Sequence, residues 1–98
     1  MILKDLQKKL FEFQKSGDKE RVDVLRYLLA QIKNKQIDLR TEVRDLEKTD
    51  IITIIEKQMK QRTESAKLYR SGSREELAEK EESEREILSE FLEYVQNS

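Results

Sequence analysis

The sequence predicts an all-α, compact four-helix domain, and three observations predict it. Proline is absent and only two glycines occur in 98 residues, so the chain holds few helix breakers. Its apolar residues recur at steps of three and four and not in alternation, which is helical spacing. Although 42% of residues are charged, 20 basic against 21 acidic leaves −1, without the charge imbalance of a disordered chain. The 36% of hydrophobic residues suffice for one modest core, so residues 1–98 read as a single domain.

The first helix spans residues 2–16, with Leu3, Leu6, Leu10 and Phe13 on one face. Ser16-Gly17 ends it, because glycine accepts the left-handed conformation after a helix without steric cost. Asp18 suits the N-cap of a second helix over 18–39, whose stripe is Val22, Leu25, Leu29 and Ile32, widened by Leu28. A less regular stretch, Arg40 to Lys48, offers only Val43 and Leu46. The third helix, 49–71, opens near Thr49-Asp50, buries Ile52, Ile55, Met59, Ala66 and Tyr69, and stops at Ser71-Gly72. The fourth, 73–95, opens with Ser73-Arg74-Glu75-Glu76, a capping-box pattern in which Ser73 and Glu76 satisfy each other's backbone N–H. Leu77, Leu88, Phe91 and Val95 form its apolar side, and residues 79–86 contain no apolar side chain.

The same composition excludes whole classes of function. There is no cysteine for a disulfide framework, and without cysteine or histidine no zinc or haem site is expected. Triad hydrolysis lacks its residues, and both glycines sit in turns between helices and not in a phosphate-binding loop. No catalytic residue, metal or cofactor is therefore assigned. No apolar run approaches the roughly 18 residues of a membrane span and no signal-peptide core is present. A cytoplasmic location without membrane contact is the expectation.

Charge is balanced in total but not along the chain. Residues 1–74 carry 18 basic and 12 acidic side chains, net +6; residues 75–98 carry 2 and 9, net −7. Lys19, Arg26, Lys33 and Arg40 recur every seven residues, a line of about 30 Å along the second helix. On the third helix Lys57, Lys60 and Lys67 lie opposite the apolar face, whereas Arg62 falls among the apolar positions. These seven cations are candidate phosphate contacts, most naturally for RNA. The competing reading sets them against the acidic fourth helix, where Glu81 and Glu84 project toward the bundle with Leu77, Leu88 and Phe91. For Arg62, Arg26, Glu81 and Glu84 the internal ion pair is the favoured reading. For Lys57, Lys60 and Lys67 a solvated face competes evenly with a binding role. Tyr27, Tyr69 and Tyr94 fit core or rim better than base stacking, and the Glu81–Glu84 spacing is too common on glutamate-rich helices to indicate acid–base catalysis.

Three ordered blocks carry a family resemblance. Arg21, Leu25, Arg26, Leu28, Ile32, Lys33, Asn34, Ile37 and Asp38 form the first; Lys57, Lys60, Gln61, Arg62, Glu64 and Ser65 the second. Gly72, Arg74, Leu77, Lys80, Glu81, Glu84, Ile87, Leu88, Phe91 and Leu92 form the third. Together they resemble the GatB/YqeY family, over most of residues 18–92. The resemblance implies a helical domain related to the tail of the B subunit of tRNA-dependent amidotransferases, which amidates glutamate or aspartate misacylated on tRNA. It implies tRNA, and amidotransferase or aminoacyl-tRNA machinery, as partners. The family also carries a label of carbon–nitrogen ligase activity with glutamine as amide donor, for which these residues supply no chemistry, since fold does not carry function. Full-length relatives continue with a Leu-Pro dipeptide and a second helical domain. Here Leu92 is followed by Glu93-Tyr94-Val95 and the sequence stops at Ser98, a natural short form or the N-terminal domain alone. A homodimer would complete the thin apolar supply of the fourth helix. Otherwise the alternative is a protein-interaction or structural bundle whose basic stripes are consumed internally.

Overall fold

A computed structural model describes residues 2–98 as four helices: α1 Ile2–Ser16, α2 Lys19–Thr41, α3 Lys48–Ser71 and α4 Glu75–Gln96. No strand occurs among the described residues. The helices pack as an all-α domain of 46 × 32 × 22 Å, in which α3 and α4 form the most extensive pair.

The core is the sum of the inward stripes. Leu6 of α1, Leu25, Leu28 and Ile32 of α2, Ile55 of α3 and Val95 of α4 are fully buried. Each side chain of this size contributes about 1.5–3 kcal/mol on burial. Phe13 of α1 meets Phe91 of α4 edge to face, centroids 6.2 Å apart, and Lys9 Nζ lies 4.4 Å above the Tyr94 ring. These contacts tie α1 to α4, and α1 packs along α2 as well. Through residues 79–86 no apolar side chain comes from α4, and its polar residues there meet α3 and α2 instead. Ala78 and Ala66 are buried at this end of the bundle, where small side chains take up little room.

Three turns share one device. At each, a residue one or two positions past the helix is left-handed, and its N–H and the next one reach back to the last turn, as in a Schellman motif. After α1 the residue is Gly17, φ 76°, with Asp18 N–H donating to Phe13 O at 3.0 Å. After α2 it is Val43, φ 52°, with Arg44 N–H donating to Leu39 O at 3.2 Å. After α3 it is Ser73, φ 60°, with Arg74 N–H donating to Tyr69 O at 2.7 Å.

The third turn corrects the expected Ser73–Glu76 capping box. A capping serine needs an extended backbone, and Ser73 is already committed to the left-handed terminator of α3. The N-cap of α4 is therefore Arg74, whose side chain makes no capping bond. The reciprocal arrangement is found at α3 instead, where the Asp50 carboxylate accepts the Glu47 N–H at 2.8 Å and Arg44 at 3.0 Å. Asp18 does cap α2, accepting the Arg21 N–H at 3.2 Å.

Two stability predictions arise here. Val43 is 91% exposed, so its β-branched side chain gains almost nothing for its left-handed backbone. Val43→Asn should raise unfolding stability by about 1 kcal/mol, read by denaturant titration. Arg44, and then the Glu47 N–H, hold the Asp50 carboxyl below its ordinary value of 3.8. Its ionised form is thus favoured by folding. The charge-dependent stabilisation is complete above pH 3.8 and lost as pH falls through the depressed value. Asp50→Ala should therefore cost about 1 kcal/mol at pH 7 and less in acid.

Burial differs from the expected stripes at several positions. Leu77 is 39% exposed and Tyr69 is half-buried, because both lie near the α3–α4 turn where the helices run out of partners. Ile51 and Gln58 are buried instead, and Gln58 is the one buried polar side chain among the described residues.

Candidate nucleic-acid interface

The acidic α4 engages arginines and leaves the lysine stripes alone. Arg62 Nε on α3 is 3.1 Å from Glu81 Oε2 and its Nη1 is 3.6 Å from Glu84 Oε2. The three side chains are only 15–26% exposed. Arg62 Nε and Glu81 Oε2 are both enclosed without an aligned hydrogen bond, so the contact is ionic in character. Burial first, then the charge of Glu81, pushes the Glu84 carboxyl above its ordinary range. At one end of α4, Glu90 accepts Arg21 of α2 at 2.6 and 2.8 Å. Toward the other, Glu82 and Glu75 share Arg70 of α3, with Nη2 2.5 Å from Glu82 and 3.0 Å from Glu75. Ser83 donates to Glu20, joining α4 to the start of α2. The exposed pairs contribute roughly 0–1 kcal/mol each, and their main effect is on register.

Lys19, Arg26, Lys33, Arg40, Lys57, Lys60 and Lys67 are all exposed. Among the described residues none has a carboxylate within 4.0 Å. For Arg26 this corrects the internal pair favoured on sequence. Arg26 and Lys33 border the α1–α2 groove with Leu3 and Gln7, whereas Glu84 borders a cavity with Asp23 and Tyr27 on the other flank of α2. α4 passes the wrong side of α2 to reach Arg26. The line on α2 is continuous, since the helix extends past Arg40 to Thr41.

The seven cations do not gather in one patch. Arg40 borders a shallow groove with Gln36 and Leu46; Lys57 faces the α2–α3 groove with Tyr27 and Asn34; Lys67 lies near Arg85 and Glu86. Sequence spacing orders cations along each helix but gives no information on how helices bring them together. Gln58 and Tyr27, which sequence reading passed over or placed in the rim, line two adjoining cavities between α2 and α3. A glutamine inside a helical apolar stripe was the one sequence signal for that site. Among the described residues there is no group of three or more His, Cys, Asp or Glu side chains placed to hold a metal ion.

A family model described as Yqey-like protein matches residues 3–94. The chain belongs to the Yqey-like family. A Schizosaccharomyces pombe protein described as uncharacterized is 31% identical over 87 residues, covering 89% of this chain and 68% of its own length. A Lachancea thermotolerans protein named altered inheritance of mitochondria protein 41, mitochondrial, is 35% identical over 91 residues. That alignment covers 93% of this chain but 46% of the relative. The Yqey-like domain thus spans less than half of that relative. Among the described residues of this Yqey-like domain no helix is long and apolar enough to cross a membrane.

Proposed function

We propose that this Yqey-like domain is a non-catalytic RNA-binding module, with tRNA as its target, accessory to tRNA-dependent amidotransferase or aminoacyl-tRNA machinery. The observation that carries this reading is the division of labour among the charges. α4 engages Arg21, Arg62 and Arg70, while the seven stripe cations remain exposed and unpaired among the described residues. Exposed, mobile cations cost little to desolvate, and each phosphate they neutralise releases condensed counterions. The family's relation to the amidotransferase B-subunit tail selects tRNA among RNAs. We place the domain in the cytoplasm, or in mitochondria as the name of the Lachancea relative suggests.

The family label of glutamine-dependent carbon–nitrogen ligation is best read as kinship. The half-buried Arg62–Glu81–Glu84 cluster is tied up in ionic contacts, and the exposed stripes offer phosphate contacts without a nucleophile. The test is a mobility-shift titration against bulk tRNA with the unaltered protein and with Lys57, Lys60 and Lys67 all changed to Gln. The expected result is a shift at low salt that weakens by about tenfold or more in the variant. No shift at low salt, or one indifferent both to salt and to these substitutions, overturns the reading.

A further inference from the structure

The α2–α3 groove holds a feature that the stripe cations do not explain. Gln58 is 5% exposed, and its Nε2 is fully enclosed with no hydrogen-bond partner. A buried amide donor left unmade is costly, and native structures carry few of them. Gln58 lines a cavity of about 490 Å³ and a second of about 240 Å³ beside it, so a rotation of its carboxamide brings the amide to open space. The larger volume lies in the range of small-ligand sites. Tyr27 lines both cavities too, and 51% exposure leaves its ring largely uncovered. An aromatic ring beside an unpartnered amide is the pair of groups with which proteins hold an unstacked base.

The surrounding charges set polarity along the groove. Glu20, Asp23 and Glu84 outnumber Arg62 and Lys80 around the larger cavity, so a phosphate is unwelcome there. Lys35 and Lys57 outnumber Asp38 around the smaller one. We propose that the groove seats one unpaired nucleobase of an RNA strand, between Tyr27 and Gln58, with the neighbouring phosphate on Lys35 and Lys57. With its carboxamide rotated toward the cavity, Gln58 donates to a ring nitrogen or carbonyl oxygen of the base. Glu20 and Asp23 accept from an exocyclic amine, as carboxylates do from cytosine. Adenine and cytosine, which carry that amine, are held better than uracil. This rests on the RNA-binding reading and narrows it to a single-stranded element of the target.

The test uses anisotropy with short labelled single-stranded RNAs of all-adenine, all-cytosine and all-uracil sequence, beside bulk tRNA. Adenine and cytosine strands should bind more tightly than uracil. Tyr27→Ala and Gln58→Leu should each weaken their binding about fivefold or more and remove the preference, leaving the salt dependence in place. Changing Glu20 to Gln and Asp23 to Asn together should remove the preference while strengthening binding of every strand. Gln58→Leu removes the unpartnered donor, so its melting temperature should not fall, which separates lost recognition from lost folding. Equal affinity for the three strands overturns the base seat, as do Tyr27→Ala and Gln58→Leu proteins with unchanged affinity; an enclosed water on Gln58 would give that second outcome. If tRNA binds but shows neither effect, the base seat fails and the RNA-binding reading stands. If no RNA binds, both fail.

Discussion

Arg62→Met should destabilise the domain by about 2–3 kcal/mol at pH 7, less than the 3–5 kcal/mol of a fully enclosed pair because water reaches part of the cluster. At 4–8 °C per kcal/mol for a chain of this size, the melting temperature should fall by roughly 10–20 °C. The cause is not a lost attraction alone. Glu81 and Glu84 are 15% and 23% exposed, so without the guanidinium two carboxylates sit side by side on α4 against α3 with little solvent. Glu84 already has its carboxyl raised by burial and by Glu81, so folding disfavours its ionised form. A group raised in this way weakens stability above its folded value and ceases to do so as pH falls through it. The Arg62→Met deficit should therefore shrink on acidification, as Glu84 takes up a proton. Adding Glu81→Gln and Glu84→Gln to Arg62→Met should restore most of the stability at pH 7. Thermal melts between pH 7 and about 4.5 check both statements; a deficit that grows in acid would mean that Arg62 acts through packing and not charge.

Changing Lys57, Lys60 and Lys67 to Gln should weaken tRNA binding by about tenfold or more at low salt while leaving the melting temperature within a few degrees. These side chains have no carboxylate partner and lie on the face of α3 opposite its core stripe. Their removal therefore costs the fold nothing that the structure records. The equivalent change at Lys19, Arg26, Lys33 and Arg40 tests the other stripe. Because the stripes line different grooves, a single RNA segment need not span both, and the stripe whose loss costs more marks the face that docks. Measuring folding and binding on the same variants separates this result from a general loss of structure.

The helices were legible in the sequence because they rest on local signals. Three- and four-residue spacing, Gly17 and Asp18 together place α1 and the start of α2 within a residue or two. What was not legible depends on which neighbour claims a residue. Ser73 and Glu76 have the capping-box pattern, but the end of α3 claims Ser73 first. The helical angle of Arg62, between apolar positions, indicated a residue facing α4. Arg26 has no comparable signal: whether α4 reaches its flank of α2 is a matter of packing direction, which spacing along one helix does not contain. Gln58 shows the same limit. Its place in the stripe was visible, whereas its unpartnered amide and the exposed Tyr27 beside it exist only once α2 and α3 are side by side.

The central claim is that exposed cations of this domain bind RNA phosphates. Its most direct test is the slope of log affinity for bulk tRNA against log salt, for the protein as it stands. Each phosphate neutralised contributes about −0.7 to −0.9 to that slope. Seven exposed cations divided between two stripes predict a value between about −2 and −6, less steep by about 2 when the lysines of the docking stripe are changed to Gln. A slope near zero, or no measurable affinity at low salt, would contradict the account.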